Sequence, residues 1–600
     1  MEMTQVNQSI DPKRLRLAFQ QGALQLIQHK QRLNQINVFP VSDGDTGSNL
    51  ASLMQAILEE TTGESQTVLE VFEKVADASL IGARGNSGII FAQYFNGIYN
   101  HLLKLEETNS VKSFLESVKV AITEAYQAIE RPVEGTIITV IRSWAEALSN
   151  GEPNLENLLS NALSTAKIAL ENTPNQLKVL KQNHVVDAGA QDFYLFIEGF
   201  THAFLAKSGL QLVEAKQQKI TLDYNEENHA QVTEPLQRYC TEILLDQVQL
   251  TKHDLQERLK GFGDSLVVAV NRGKARIHIH TNKPAEVLAY LSTVGQPIQQ
   301  KADDMLLQYQ VNKQRRAPIA LVTDSIADLP SEYLLNNQIH VLPMNILIDE
   351  TSYIDKITIQ SDQFLAMAQR TAATSSQPTL KTVDNLFSFL ETRYEAILVI
   401  TVASKLSGTF HTVKEAAKRR SGTRIEVIDS HQNSAAQGLL VMAANEWIQA
   451  GRSFDEIAAA ALTKRDQMNI LVSVNDLNPM IQSGRIPQAV GRLAKMVNLK
   501  PIVSLDSLGD GKLSNFAFSQ AGNEKKILAE VIKANEEKII KRYALIHADE
   551  LAKAQRWGQE LQNKLGFGPS FITDVSTVVA MSAGVGSVAV AYELEEEDVN

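Results

Sequence analysis

The spacing of apolar residues predicts a helical N-terminal part of the chain. Over residues 12–205, apolar side chains recur every three to four positions, as in RLRLAFQQGALQLIQHKQRL and NLENLLSNALSTAKIALEN, and strand-like alternation is scarce. Gly-rich turns interrupt the helices at SDGDTGSN (42–49), GARGNSG (82–88), PVEGT (132–136) and DAGAQD (187–192). The pattern therefore predicts an all-α domain over residues 12–205 with unusually sharp breaks.

The pattern changes after a polar stretch at residues 206–236, which we interpret as a linker. Three strand-like runs follow, and a helical run, PAEVLAYLSTVG, comes after the last of them. The three runs are YCTEILL (239–245), SLVVAVN (265–271) and ARIHIHTN (275–282). We therefore predict a small α+β module over residues 236–310, followed by a second polar joint, QVNKQRRAP (310–318).

The last part of the chain alternates apolar strand candidates with amphipathic helices. The strand candidates are IALVTD (319–324), AILVITV (396–402), RIEVIDS (424–430), NILVSV (469–474), KPIVSL (500–505) and YALIHA (543–548). Such alternation is typical of an α/β domain, so we predict one over residues 317–600 with a mainly parallel sheet. The final ELEEEDVN is interpreted as a solvated acidic end.

Length and composition narrow the class of protein. The chain has 600 residues, 44% hydrophobic and 21% charged, which is typical of a globular protein with several domains. A net charge of −12 argues against non-specific nucleic-acid binding. No apolar run approaches the roughly 18 residues of a spanning helix, and the first residues lack the order of a signal peptide. With Cys240 as its single cysteine, the chain has no internal disulfide, and we expect it in the cytoplasm, with peripheral membrane contact left open.

The turn at residues 42–49 carries the strongest chemical signal. Asp43 and Asp45 flank one glycine just before a helix, and two crowded carboxylates suit Mg²⁺ bound together with substrate phosphates. Residues 46–49 (TGSN) then offer hydroxyls and open N–H groups at a helix start, where phosphate is favoured. The turn at 82–88 adds Arg84, Asn86 and Ser87 to this set. The alternative is an ordinary Asp-Gly turn followed by a helix cap.

The segments NVFPVSDGDTGSN, SLIGARGNSGIIFAQ, PVEGTIITV and NHVVDAGAQDF resemble the nucleotide-binding domain of the dihydroxyacetone-kinase type (DhaL-like), in its fatty-acid kinase branch. The resemblance implies an eight-helix barrel that binds ATP with two Mg²⁺ ions. It assigns the catalytic metal-binding role to Asp43 and Asp45, with Asn37 as a neighbour. The phosphate contacts fall on Thr46, Ser48, Asn49, Asn86, Ser87 and Gly88. Two departures are Ser42 in place of proline and AQD (190–192) in place of Gly-Gln-Gly.

A second candidate site lies in the middle module. His278 and His280 are two residues apart on a predicted strand, so both rings project from one face. With Cys240 they form a plausible Zn²⁺ set, completed by Glu242 or a water. The alternative is an H-x-H pattern on an exposed strand and an ordinary buried cysteine. The segments YCTEILL, GDSLVVAV and HIHTNKPAEVL resemble the middle domain of fatty-acid kinases, which implies such a metal site.

The C-terminal part resembles the DegV family of fatty-acid-binding proteins over about residues 319–592. The resemblance rests on VTDSIADLP, VLPMNILIDETSYID, TSSQPT, SKLSGTF and SGRIP. It implies that Ser375 and Ser407 contact a fatty-acid carboxylate and that Arg485 lies near the head group. Ser375 stands where threonine is usual, and Ser582 stands at the family's histidine position. The alternative for each serine alone is a helix cap.

The combined expectation is an ATP-dependent kinase that phosphorylates a protein-bound fatty acid to an acyl phosphate, with kinase and acyl carrier on one chain. We also expect a homodimer and an acceptor enzyme for the acyl phosphate in phospholipid synthesis. Two alternatives stay open. The chain could be a lipid-binding carrier or sensor with a regulatory kinase domain, or a kinase for a dihydroxyacetone-like small molecule.

Overall fold

A computed structural model describes residues 9–37, 46–149, 154–206, 234–367, 373–475, 477–482 and 499–595. The chain divides into two compact units, Met1–Tyr309 and Gln310–Asn600. Asp43, Asp45 and Arg485 lie outside the described residues, as does most of the linker predicted at 206–236. None of the described helices combines the length and the apolar character that a membrane span requires.

The described part of residues 12–205 is helical, as predicted. It holds eight long helices and three short ones: α1 (Pro12–Gln28), α2 (Lys30–Gln35), α3 (Thr46–Glu60), α4 (Val68–Gly82), α5 (Gly85–Leu102), α6 (Val111–Gln127), α7 (Ile137–Ser149), α8 (Leu155–Glu171), α9 (Thr173–Gln176), α10 (Lys178–Gln182) and α11 (Ala188–Leu205). Capping residues begin several of them. Asp11 accepts two backbone N–H groups of α1, and Thr67 and Ser110 each accept one at the starts of α4 and α6.

The eight long helices form a closed ring. Each contacts the next in the order α1, α3, α4, α5, α6, α7, α8 and α11, and α11 packs back against α1. The interior is aromatic: Phe19 lies within 5.9 Å (ring centroids) of Phe72, Phe95, Phe196 and Phe200. Edge-to-face contacts of this kind add to the burial of apolar area. The ring is the predicted eight-helix barrel.

The middle module is a four-stranded antiparallel sheet in the order β2–β3–β1–β4. Its elements are β1 (Tyr239–Asp246), α12 (Lys252–Leu259), β2 (Asp264–Asn271), β3 (Lys274–Thr281), α13 (Pro284–Leu291), β4 (Gln296–Asp304) and α14 (Met305–Gln314). The sequence pattern does not predict β4 because its residues, QPIQQKADD, are polar and pair only at the sheet edge. The joint predicted at 310–318 is helical as far as Gln314.

The middle module shares one hydrophobic core with the helical barrel. Val267 and Ala269 of β2 belong to the same buried cluster as the barrel side chains. Backbone hydrogen bonds also connect the two, from Val268 N–H to the Ala128 carbonyl at 3.1 Å and from Glu130 N–H to the Leu266 carbonyl at 3.3 Å. Barrel and sheet therefore form one unit.

The described residues of the C-terminal unit form three sheets. Their strands are β5 (Ile319–Asp324), β6 (His340–Leu342), β7 (Asn345–Ile348), β8 (Thr351–Ile354), β9 (Ala373–Ser376), β10 (Ala396–Thr401), β11 (Arg424–Asp429), β12 (Met468–Ser473), β13 (Lys500–Leu505), β14 (Gly511–Ala517), β15 (Ile540–His547), β16 (Ile572–Asp574) and β17 (Val588–Leu594). The orders are β11–β10–β5–β6, β8–β7–β9 and β14–β13–β12–β17–β15–β16.

Helices cover these sheets. They are α15 (Ser331–Asn336), α16 (Ser361–Met367), α17 (Leu380–Glu391), α18 (Thr409–Lys418), α19 (Ser434–Gln449), α20 (Phe454–Lys464), α21 (Asn478–Gln482), α22 (Gln520–Glu537), α23 (Leu551–Leu565) and α24 (Thr577–Ala583). Helix α19 contacts both the four-stranded and the six-stranded sheet. Along β12, β15 and β17, alternate residues point into two different cores, one shared with α19 and one shared with α22 and α23.

The predicted α/β class is correct, but the prediction of one mainly parallel sheet is wrong. The four-stranded sheet is parallel throughout. In the six-stranded sheet only β15 and β16 pair in parallel, and the other pairs are antiparallel. Strands buried on both faces are continuously apolar in either arrangement, so the hydrophobic pattern does not distinguish the two.

A buried ion network joins α19 to the six-stranded sheet. Arg542 of β15 donates to Glu593 of β17 and to Glu446 of α19, and its second bond to Glu446 measures 3.0 Å. Lys464 lies 3.0 Å from Glu593, whose side chain is fully buried. Removing Arg542 leaves the buried Glu593 carboxylate only partly compensated, by Lys464 and Lys541, and breaks the link from the sheet to Glu446.

We therefore expect Arg542→Ala to lower the free energy of unfolding of the C-terminal unit by about 3 kcal/mol. Urea denaturation followed by tryptophan fluorescence measures this change. The control is Arg424→Ala, because Arg424 and its partner Asp455 are 56% and 73% exposed and we expect a loss below about 1 kcal/mol. Equal losses for the two variants would contradict the assigned role of the network.

Candidate functional site

The start of α3 is held by a reciprocal contact with α2. The Ser48 N–H donates to Asn34 Oδ1 at 3.0 Å, and Asn34 Nδ2 donates to Ser48 Oγ at 2.9 Å. A Cβ at Gly47 would lie 2.4 Å from the Lys30 carbonyl oxygen, so only glycine allows this approach. Asn37, which is buried, is the last described residue before the segment that carries Asp43 and Asp45.

The starts of α3, α5 and α11 lie together. Gly85 has φ +63°, and a Cβ there would lie 3.1 Å from Asn49 Nδ2. A Cβ at Gly189, in the first turn of α11, would lie 2.3 Å from Ser87 Oγ. The structure thus brings together Asn49 with the start of α5, and Ser87 with the start of α11. Because the first N–H groups of a helix have no partner within it, this end of the barrel brings together the N-terminal N–H groups of three helices, and side chains accept those of Ser48, Gly85 and Ala190.

Two buried carboxylates lie beside these donors. Asp187 accepts the Ala190 N–H at 2.8 Å and also accepts the Ile137 N–H, so it caps both α11 and α7. Burial raises the pKa of Asp187 to about 7, although the two hydrogen bonds oppose the shift. Asp192, at the AQD departure, is fully buried, and burial together with Asp187 raises its pKa well above the usual range. Sequence reasoning missed both carboxylates as titrating groups.

The middle module brings Cys240, His278 and His280 together. Strand pairing places Cys240 opposite His280 and Glu242 opposite His278, on one face of the sheet. The Sγ atom and one nitrogen of each ring all lie within 4.8 Å of one another, and the ring centroids are 5.1 Å apart. Burial and the nearby His278 lower the pKa of His280 to about 3, so this ring is neutral at pH 7 and able to bind a metal.

Glu242 extends from this face to the barrel. One carboxylate oxygen accepts the Gly85 N–H and lies 3.5 Å from His278 Nδ1, and the other lies 3.8 Å from Arg84. Burial acts to raise the pKa of Glu242, but the His278 hydrogen bond, Lys301 and Arg276 together lower it below its usual value. Glu242 is therefore ionised, and it holds the first turn of α5.

Arg276 supports the same turn. It is fully buried on β3 and donates from Nε to the Ala83 carbonyl at 2.8 Å, with a second bond from its terminal nitrogen. Burial lowers the pKa of Arg276 to about 9, although Glu242 opposes the shift. Sequence reasoning missed Arg276, although it lies two residues before His278 and so projects from the same strand face.

In the C-terminal unit, the segments that carry Ser375 and Ser407 lie against each other. Ser375 is exposed on β9, opposite Ile346 of β7. Ser407 precedes α18, and its hydroxyl lies 2.8 Å from that of Thr409. A Cβ at Gly408 would lie 2.1 Å from Gln377 Oε1, which brings the TSSQPT and SKLSGTF segments into contact. The apolar side chains of Ile346 and Leu406 belong to the adjoining core.

Ser582 lies half-buried on α24, and two buried carboxylates hold the start of that helix. The Ser576 N–H donates to Asp328 Oδ1 at 2.7 Å, and the Thr577 N–H donates to Asp355 Oδ1 at 2.9 Å. Lys356 neutralises Asp328 at 2.8 Å. Sequence reasoning missed this anchor, although Asp328 and Asp355 lie within the segments VTDSIADLP and VLPMNILIDETSYID.

Three family models match the chain in consecutive stretches. The DAK2 domain model matches residues 40–202, the model of a fatty acid kinase-like middle domain matches residues 237–312, and the DegV family model matches residues 318–595. The chain joins a DAK2 domain, a fatty-acid-kinase-type middle domain and a DegV domain. The barrel is thus the DAK2 domain, and the unit with three sheets is the DegV domain.

Curated relatives include an uncharacterized protein of Staphylococcus saprophyticus, 34% identical over 51% of this chain and 57% of its own length. One from Staphylococcus aureus is 33% identical over 48% of this chain and 54% of its own. The chain thus spans little more than half the length of these relatives. A DegV-family protein of Thermus thermophilus, described as fatty acid binding, is 26% identical with a TM-score of 0.43 over 46% of this chain and 100% of that one. DegV of Bacillus subtilis, described as a fatty acid binding protein, is 24% identical with a TM-score of 0.43 over the same shares.

Because the pKa of Asp187 in the DAK2 domain is raised, we expect the free energy of unfolding to depend on pH. The folded chain holds the Asp187 proton up to about pH 7, whereas the unfolded chain releases it near pH 3.8. The proton therefore stabilises the fold most below about pH 4, and we expect this contribution to be lost by up to about 1.4 kcal/mol per pH unit as pH rises to 7. Asp187→Asn keeps an acceptor for the Ala190 N–H but does not titrate.

The measurement is urea denaturation of wild type and Asp187→Asn at pH 4 to 8 in a chelating buffer. The free energy of unfolding of wild type should fall relative to that of the variant between pH 4 and 7. Above pH 7 the difference between the two free energies should stay constant. Parallel curves over the whole range would show that Asp187 titrates normally.

Proposed function

We propose that this chain transfers the γ-phosphoryl group of ATP to the carboxylate of a fatty acid, forming an acyl phosphate and ADP. The observation that carries the proposal is the occurrence of a DAK2 domain, a fatty-acid-kinase-type middle domain and a DegV domain on one chain. The first two are kinase-type domains. The third is the DegV domain, and its resemblance to the DegV family implies fatty-acid binding.

The proposed nucleotide site is the start of α3 and α5. Thr46, Ser48 and Asn49 supply hydroxyl and amide groups there. Glu242 accepts the Gly85 N–H in the first turn of α5, and the N–H groups of Ser87 and Gly88 follow it at the same helix start. The macrodipole of an 18-residue helix adds partial positive charge at the same point. These groups suit the β- and γ-phosphates of ATP.

The metal ions in this proposal are Mg²⁺. Asp43 and Asp45 would hold them, with Asn37 as the neighbouring side chain. Hard carboxylate and amide oxygens are the donors that Mg²⁺ takes in proteins, so the residue types fit the ion. When bound, Mg²⁺ offsets the negative charge of the phosphates.

The proposed fatty-acid site is separate and lies at the contact between the TSSQPT and SKLSGTF segments of the DegV domain. The hydroxyls of Ser375 and Ser407 donate to the carboxylate, and the apolar core beside them takes the chain. Arg485 and Ser582 complete the head-group set in this proposal. With serine in place of histidine at position 582, a neutral hydroxyl replaces a titratable ring.

The reaction needs no general base. A carboxylate oxygen of the fatty acid forms a bond to the γ-phosphorus, the bond from that phosphorus to the bridging oxygen breaks, and ADP leaves with the electron pair. Repulsion between two anions is the main obstacle, so positive charge and N–H donors at the phosphates matter more than proton transfer. Carrying both domains on one chain raises their effective concentration for each other.

Asp45→Ala and Ser407→Ala test the proposed nucleotide site and the proposed fatty-acid site separately. We expect Asp45→Ala to lower fatty-acid-dependent ATP consumption by about 100-fold or more and to leave the co-purified lipid in place. Ser407→Ala should release the lipid and leave the affinity for nucleotide unchanged. Native mass spectrometry measures the lipid, calorimetry measures nucleotide binding, and ADP release measures turnover.

The matched control for Ser407→Ala is Ser388→Ala, because the Ser388 hydroxyl donates to the Asp384 carbonyl within its own helix at 2.9 Å. Wild-type turnover in Asp45→Ala would contradict the kinase assignment. Bound lipid without ATP consumption in wild type would favour the carrier or sensor. ATP consumption with dihydroxyacetone but not with fatty acid would favour the small-molecule kinase.

The second metal in this proposal is Zn²⁺ at Cys240, His278 and His280. One thiol and two imidazoles within 4.8 Å are a donor set that zinc prefers, and the Glu242 oxygen that faces Arg84 has no hydrogen-bond partner among the described residues. The residues therefore fit the ion. The ion would connect β1 to β3, and its proposed role is structural or regulatory.

We expect wild type to bind about one zinc ion per chain and Cys240→Ser to bind at least tenfold more weakly, because the thiolate is lost. Metal analysis after dialysis gives the stoichiometry, and Co²⁺ substitution gives a thiolate charge-transfer band that the variant should lack. A band that persists in Cys240→Ser would exclude Cys240 as a ligand.

A further inference from the structure

Glu242 contacts two candidate sites at once. The carboxylate oxygen that accepts the Gly85 N–H at the start of α5 is also 3.5 Å from Nδ1 of His278. Glu242 is 1% exposed and His278 is 3% exposed, so solvent does not mediate either contact. The carboxylate therefore lies directly between the first turn of a barrel helix and a side chain of the Cys-His-His cluster.

The surroundings of Glu242 restrict its movement. Arg84, which precedes α5, lies 3.8 Å from the second carboxylate oxygen. Arg276 of β3 donates to the Ala83 carbonyl, so the chain just before α5 is held from the same strand as His278 and His280. Residues 83–85 are thus fixed to β1 and β3 at both a carbonyl and an N–H group.

We propose that Glu242 is a positioning residue that couples metal binding at Cys240, His278 and His280 to the conformation of the start of α5. Only the effect of the metal on nucleotide affinity rests on the proposed function. The contact between Glu242 and Gly85 is present without any ligand, so the effect of the metal on the start of α5 does not depend on that function.

The physical basis is the double role of one carboxylate. A histidine that binds metal through one ring nitrogen donates its other N–H group to an acceptor, and such acceptors raise metal affinity. A metal bound through the other ring nitrogen would orient the His278 ring and so restrict Glu242, which already accepts the Gly85 N–H without metal and would then hold it more firmly. The following N–H groups of α5 are oriented with it. If the metal raises the affinity for a ligand that binds these N–H groups, that ligand must raise the affinity for the metal by the same factor.

The test is hydrogen exchange of the peptide that contains Gly85, in the intact chain, with zinc bound and after removal of zinc by a chelator. We expect zinc to slow exchange at Gly85 by about tenfold in wild type. Glu242→Gln keeps an amide oxygen but loses the carboxylate. In this variant the ratio of the exchange rate at Gly85 without zinc to the rate with zinc should fall below about twofold.

The matched control is Glu124→Gln. Glu124 pairs with Lys252 of the middle module at 2.9 Å, so this variant breaks a second contact between the same modules. It should keep the wild-type ratio.

A second measurement compares the affinity for a non-hydrolysable ATP analogue with Mg²⁺, with and without zinc, and the affinity for zinc with and without the analogue. Both affinity ratios should exceed one in wild type, where linkage makes them equal, and both should be near one in Glu242→Gln. If the analogue binds neither the zinc-bound nor the zinc-free protein, the proposed function is overturned. The ratio of the hydrogen-exchange rates at Gly85 without and with zinc would still decide whether the coupling exists. Equal exchange at Gly85 with and without zinc in wild type would overturn the coupling even if Glu242→Gln does not fold. Loss of the ratio in Glu124→Gln as well would also overturn it.

Discussion

The contact between the Glu242 carboxylate and the first turn of α5 organises the N-terminal unit. A helix start exposes N–H groups that burial would leave without partners, and Glu242 satisfies one of them from the neighbouring sheet. Arg276 satisfies the carbonyl at Ala83, just before the helix. With these two contacts, the barrel and the four-stranded sheet share one core. The Gly-rich turn is consequently held from the sheet, and it lies close to Asn49 of α3 and Gly189 of α11.

The closed ring of helices determines which turns meet. Because α11 packs back against α1, turns that are far apart in sequence, at residues 82–88 and 187–192, share one end of the barrel. Glycines at positions 47, 85 and 189 allow these approaches, since a Cβ at any of them would crowd a neighbouring residue. The same end holds Asp187 and Asp192, whose raised pKa values reflect burial. The barrel thus combines open donors and buried acids in a small space.

The DegV domain also anchors a helix start with buried carboxylates. Asp328 and Asp355 accept the N–H groups at the start of α24, the helix that carries Ser582. Helix α19 packs between two sheets and is tied to the six-stranded sheet by Arg542 and Glu446. In both units a buried carboxylate therefore fixes the start of a helix that carries predicted site residues. Side chains held in this way need little reorganisation when a ligand binds.

The sequence by itself determined the helices of residues 12–205, three of the four strands of the middle module, six of the thirteen strands described in the C-terminal unit, and the shared face of His278 and His280. Local periodicity suffices there, because it records which side of an element is buried. Only the tertiary structure decided that Cys240 lies opposite His280, that Glu242 reaches Gly85, and that most pairs of the six-stranded sheet are antiparallel. These features depend on register and pairing between distant segments, which local patterns do not encode. Strand β4 and the buried Asp187 show the same limit, since a polar edge strand and a capping acid resemble ordinary turns in sequence.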